Sequence, residues 1–353
     1  MTTIKYPMTK DYRKEWGIID AAREIVQNCL DNKNQRSKFN LSADGTIVVT
    51  TENFKLPMQY FALGQSFKSE NSIGGFGEGF KIALMILARE DCGAYAMNGT
   101  QIITPSFERC DTLELDLFTL TFEDNTLQED DTTLIDNGGL TFIFHIPYDL
   151  IGELKEKINV FSDNILPIPN TVDILEEYPG QVFVNGLWVC KEQSFKYGYN
   201  FSPSKIRLGC DRQIASAHGM AWETSQVWAD KVTSRNADDV LNMMTDGDLD
   251  VKDIQYFVSA AKAKFITEAF VRRFGHVTIK QMGSGLSYGM SVGGGLYSTL
   301  KKSGYTKVTN TWAENNTPHS IITRFLEANK SKIRRDVRLK FDDILEQAKG
   351  WKK

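Results

Sequence analysis

Three polar residues near the start of the chain have types and a spacing that could carry chemistry. Glu24, Asn28 and Asp31 stand at i, i+4 and i+7, so on a helix their side chains project from one stripe. A carboxylate and an amide are thus held together, the residue types of acid–base and cation-binding chemistry. Polar stripes on amphipathic helices are usually the solvated face, so the triplet gains meaning only from what lies opposite it.

A second feature supplies a partner. The segment Ile73-Gly74-Gly75-Phe76-Gly77-Glu78-Gly79-Phe80-Lys81 leads straight into an apolar run. Glycines let backbone approach a ligand closely, and the N–H groups and dipole of a helix N-terminus attract phosphate. The segment therefore reads either as an anion cradle or as a tight turn packed against a neighbour. Its spacing excludes other phosphate sites. A P-loop needs GxxxxGK followed by Ser or Thr, but Phe80 separates Gly79 from Lys81. A dinucleotide fingerprint follows a strand directly, whereas the polar stretch Gln65 to Ser72 precedes this cluster. No HRD or DFG triplet of a protein kinase occurs.

The elements that must position these groups are visible in the hydrophobic pattern. Ile18, Ile19, Ala22, Ile25, Val26, Cys29 and Leu30 predict an amphipathic helix over 18–32 with a polar opposite face. Phe80 to Ala88, apolar on nearly every side, predicts a buried helix. Thr46 to Val49 is β-rich, and the alternations over 112–122 and 140–147 predict two strands flanking an acidic surface loop, Glu123 to Asp136. Asn185-Gly186 between two apolar runs predicts a hairpin over 181–190. Further on, 251–274 reads as helix, 276–280 as a short strand and 296–303 as helix.

Taken together, these pieces resemble the GHKL ATPase superfamily, the Bergerat-fold group of gyrase B subunits, MutL proteins, heat-shock chaperones and histidine-kinase catalytic domains. Ala22 to Asn32 is similar to its first box, Gly74 to Gly79 to its glycine lid, and Leu63-Gly64-Gln65-Ser66-Phe67-Lys68 to the approach to that lid. Gly139 to Pro147 resembles the strand whose Thr, here Thr141, commonly contacts the base side of the nucleotide. The resemblance covers about residues 10–150 and continues more weakly to Arg212. It departs in the second box, Thr51-Glu52-Asn53-Phe54-Lys55-Leu56-Pro57, where Glu52 aligns with an adenine-binding Asp but both following glycines are missing. A longer carboxylate still accepts a hydrogen bond.

The resemblance implies an α/β (α+β) chain. A Bergerat α/β sandwich with a mixed, mostly antiparallel sheet fills 1–150, a transducer-like α/β domain 151–260, and a small α/β unit with a basic terminal helix 261–353. It implies ATP and Mg²⁺ as ligands, Glu24 as general base and Asn28 as metal ligand. Asp31 would brace the site, and Gly74, Gly75, Gly77 and Gly79 would cradle the phosphates. Lys68 or Lys81 would offset their charge, and Lys205, Arg207 or Arg212 would sense the γ-phosphate. The function expected is slow ATP hydrolysis used as a conformational or dimerisation switch, as in stand-alone members of bacteria and large phages. The alternatives are a nucleotide-regulated or inactive binding module acting on an unknown protein client, and a DNA topoisomerase or repair component.

Composition sets the outer bounds. With 353 residues, 41% hydrophobic and 24% charged, the chain is that of a folded protein with real cores. A net charge of -4 argues against a globally basic nucleic-acid coat. A local contact is left to the basic run Lys330 to Lys340. The five scattered cysteines and the absence of a signal-like start or long apolar span suggest a cytoplasmic protein without a membrane anchor. The four histidines lie far apart and suit packing or surface roles.

Overall fold

The computed structural model describes residues 1–31, 35–63, 78–124, 139–206, 217–283, 289–306 and 341. The protein is mixed α/β, with antiparallel sheet and helices, and divides into two compact units, Met1–Ala217 and His218–Lys353.

The first unit begins β1 (Thr2–Lys5), α1 (Ile18–Asp31), β2 (Ser37–Leu41), β3 (Thr46–Thr51), α2 (Gly79–Arg89) and β4 (Tyr95–Asn98). It continues with β5 (Gln101–Cys110), β6 (Leu115–Asp124) and β7 (Leu140–His145). These strands form one sheet in the order β1-β6-β5-β4-β7-β3-β2, and every neighbouring pair in it is antiparallel. The two strands expected around the acidic stretch, β6 and β7, are thus separated by β5 and β4. Most of that acidic stretch lies outside the described residues.

Strand alternation decides which face meets the helices. Ile47 and Val49 of β3, Phe118, Leu120 and Phe122 of β6, and Leu140, Phe142 and Phe144 of β7 join Ala21, Ala22, Ile25 and Val26 of α1 in one core. α2 is buried from Phe80 to Leu87, as its apolar sequence requires, and each such Leu, Ile or Phe contributes about 1.5–3 kcal/mol of burial. α1 opens where Gly17 N–H donates to the Asp20 carboxylate at 3.0 Å, satisfying one of the orphan donors of a helix start. Its polar face is not simply solvated, since Glu24 and Gln27 are both buried.

After α3 (Ile151–Lys157), β8 (Val172–Leu175), β9 (Gln181–Val184), β10 (Leu187–Lys191) and β11 (Gly198–Phe201) form a second sheet, β10-β9-β11-β8. Here β9 and β11 run parallel. The expected hairpin is present, and Asn185 and Gly186 both have positive φ, at 53° and 78°, the requirement of a type I′ turn. Phe161, in the turn after α3, meets Phe39 of β2 edge-to-face at 6.3 Å.

The second unit holds α4 (Ala217–Lys231), α5 (Ala237–Asp246), α6 (Ile254–Phe257), α7 (Ala260–Phe274), β12 (Ile279–Gln281), β13 (Met290–Val292) and α8 (Gly294–Lys302). The helix expected over 251–274 is broken, because the Ser259 hydroxyl accepts from Lys262 N–H and starts α7 afresh. The buried side of α4 includes Thr224 and Ser225, both fully inaccessible. The basic run 330–340 lies outside the described residues. No described helix is long and apolar enough to cross a membrane.

Candidate functional site

The site is built where α1 meets the first turn of α2. Glu24 is only 4% exposed, although burying a carboxylate is costly unless its surroundings compensate. A Cβ placed on Gly79 would collide with Glu24 Oε2 and lie 3.8 Å from Asn28 Nδ2. Gly79 has no positive φ, so what a side chain there would have to displace is the end of the Glu24 carboxylate, not a strained backbone. The N-terminus of α2, with its positive dipole end, therefore faces Glu24 and Asn28 directly. The Asn28 amide nitrogen donates to Glu24 O at 2.7 Å. With its nitrogen so engaged, the atom of Asn28 that could take a cation is Oδ1.

Next to this pair lies a cavity of about 30 Å³. Its walls are Asn28 and Cys29 of α1, Thr51 of β3, Phe80 of α2, Leu140 and Phe142 of β7, and Phe54 and Leu56 of the segment after β3. That segment is fastened by Asn98. Leu56 N–H donates to Asn98 Oδ1 and Asn98 Nδ2 donates back to Leu56 O, each at 2.8 Å. Ser37 Oγ lies 3.2 Å from both Cys29 O and Thr51 Oγ1, two residues of the wall.

The structure brings Glu24, Asn28 and Gly79 together but not every expected residue. Asp31 is half-buried at the end of α1 and is not part of the cavity wall. Glu52 pairs with Lys38 of β2, whose hydrogen bond holds its carboxyl below the ordinary range, and it too is absent from the wall. Thr141 projects from the sheet face away from α1 and α2, where its hydroxyl meets that of Thr50 at 3.1 Å. Lys205 is half-buried in the turn after β11, its N–H donating to Ser202 O. Lys68, Gly74, Gly75, Gly77, Arg207 and Arg212 lie outside the described residues.

Lys81 is fully buried, and its ammonium donates to Ala62 O at 2.7 Å, 5.0 Å from the centre of the Phe80 ring. Desolvation pushes its pKa down from 10.5 to about 8, against a smaller opposing pull from Glu78. The unfolded chain therefore binds more protons than the native chain between about pH 8 and 10.5, and this group's contribution to stability rises with pH across that window. Lys81→Met is expected to abolish the rise. The difference in urea-unfolding free energy, wild type minus variant, should increase by about 1–3 kcal/mol from pH 7.5 to 10.5. A difference independent of pH would show that Lys81 is not depressed. The subtraction matters because burial raises the Cys92 thiol to about 11, which works in the opposite direction in the same range.

Sequence reading passed over Thr51, Ser37 and Asn98. The signal for Thr51 was present, because β3 alternates Ile47, Val49, Thr51 toward the helices and so sends Glu52 the other way. A larger groove of about 600 Å³ lies in the second unit along α7, but Arg272 on its wall is already paired with Asp238 at 2.8 Å. Among the described residues no group of three or more His, Cys, Asp or Glu gathers in a metal-binding arrangement. In comparisons with known proteins, no family model and no curated protein matches the chain.

Proposed function

We propose that the first unit binds Mg·ATP in a Bergerat-type site and hydrolyses it slowly, nucleotide state setting the conformation or self-association of the chain. The observation that carries this reading is the buried carboxylate of Glu24 set against the glycine-started N-terminus of α2, with Asn28 one turn along. A carboxylate beside a phosphate-attracting helix end stands where a general base would meet the water that attacks a bound phosphate.

In this reading the α2 N–H groups bind and orient phosphate oxygens, and Glu24 holds the attacking water and receives its proton. Catalysis is then positioning and charge stabilisation, with little covalent chemistry. Mg²⁺, when bound, neutralises charge on the phosphates, and Asn28 Oδ1 is the atom that would hold it. The single amide ligand fits a cation whose other ligands are phosphate oxygens and water. A purine is larger than the cavity beside Asn28, so its entry requires Phe54 and Leu56 to give way.

Isothermal calorimetry with ATP and Mg²⁺ tests the reading. Saturable binding that Asn28→Ala weakens by about tenfold or more is expected, and light scattering with a nonhydrolysable analogue in the same samples reads any change of mass. A flat titration of folded wild type would overturn it. Glu52's commitment to Lys38 and the narrow cavity favour a second reading, a binding module on the same scaffold without efficient turnover. Nucleotide affinity with no phosphate release above the Glu24→Ala background would select that one.

A further inference from the structure

Building on that nucleotide reading, we infer that the base is read by the Thr51–Ser37 hydroxyl pair rather than by a carboxylate, and that adenine and guanine nucleotides bind with affinities within about tenfold of each other. Glu52, the carboxylate nearest in sequence, faces β2 and is held by Lys38. Asn28 Oδ1 is the atom assigned to the cation, and neighbouring groups of the wall already have partners. Both backbone groups of Leu56 are taken by Asn98, and the Asn28 nitrogen is taken by Glu24 O. Thr51 lines the cavity, and Ser37 stands directly across the β2–β3 ladder from it.

Hydroxyl chemistry makes the difference. A carboxylate only accepts hydrogen bonds, so it suits the 6-amino group of adenine and repels the 6-keto oxygen of guanine. Each hydroxyl has one donor and two acceptor positions. When Ser37 donates to Cys29 O and Thr51 donates to Ser37, Thr51 offers a lone pair to an amino group. When Ser37 turns to donate to Thr51, the Thr51 proton is free for a keto oxygen. The second arrangement gives up the bond to Cys29 O, a loss worth a few-fold in affinity. The pair therefore prefers adenine mildly, whereas a buried carboxylate facing guanine would reject it by on the order of 100-fold or more.

Titration of the full chain with Mg·ATP and Mg·GTP, in parallel on wild type, Thr51→Val, Ser37→Ala and Glu52→Gln, tests the assignment. Wild type is expected to bind GTP less than about tenfold more weakly than ATP. Thr51→Val keeps the shape of the side chain and is expected to weaken both nucleotides about threefold to tenfold. Ser37→Ala frees the Thr51 proton and moves the ratio toward one. A GTP:ATP ratio above tenfold, or selective loss of ATP affinity in Glu52→Gln, would overturn the inference while leaving ATP binding intact. Absence of binding by both nucleotides sinks the underlying nucleotide reading instead, so the two failures are distinguishable.

Discussion

Glu24→Gln is expected to lower ATP turnover by about 10²- to 10⁴-fold while leaving the ATP dissociation constant within about threefold of wild type. The amide keeps the shape of the side chain, so the packing of α1 on α2 is preserved and only proton acceptance is lost. If Glu24 were merely a buried structural acid, the variant would change the melting temperature and leave turnover per folded molecule unaltered. Phosphate release measured under single-turnover conditions, beside nucleotide titration of the same preparations, separates these cases. Equal turnover by wild type and variant would falsify Glu24 as the base.

The second large effect concerns Gly79. On a helix with room around it, glycine to alanine stabilises by about 0.5–1 kcal/mol. Here the added methyl meets the Glu24 carboxylate, which is buried against α2 and must rotate away from the helix N-terminus. We expect Gly79→Ala to destabilise the chain by about 1–3 kcal/mol and to abolish turnover. The sign should reverse when the obstacle is removed. In a Glu24→Ala background Gly79→Ala is expected to be neutral or mildly stabilising, giving a coupling energy of about 1–4 kcal/mol in the double-mutant cycle. Additive effects in urea unfolding would mean that the two residues do not meet as described.

Much of the scaffold was legible because it rests on local rules. The period of Ile18 to Leu30 marked α1, the nearly all-apolar run after Gly79 marked α2, and Asn185-Gly186 marked its hairpin. Glu24 and Asn28 were legible for the same reason, since helical spacing places both on one face wherever the helix packs. What the sequence did not reveal was non-local. Strands β4 and β5 insert between β6 and β7 in the sheet, and only sheet assembly makes that choice. Thr141 illustrates a subtler loss. The resemblance of its strand suggested a base contact, but Leu140, Phe142 and Phe144 form the apolar register that turns to the helices, and parity sends Thr141 to the reverse face.

By itself the sequence determined the two helices and the residues each would carry, because propensity and periodicity act over a few residues. Tertiary structure alone decided that Glu24 and Gln27 of α1 are buried rather than wet, that a side chain at position 79 would meet Glu24, that Lys81 is held by Ala62 O, and that Thr51 rather than Glu52 faces the cavity. Those outcomes depend on which surfaces the core brings together and on which parity of each strand the core takes, and neither is encoded in a short stretch of chain.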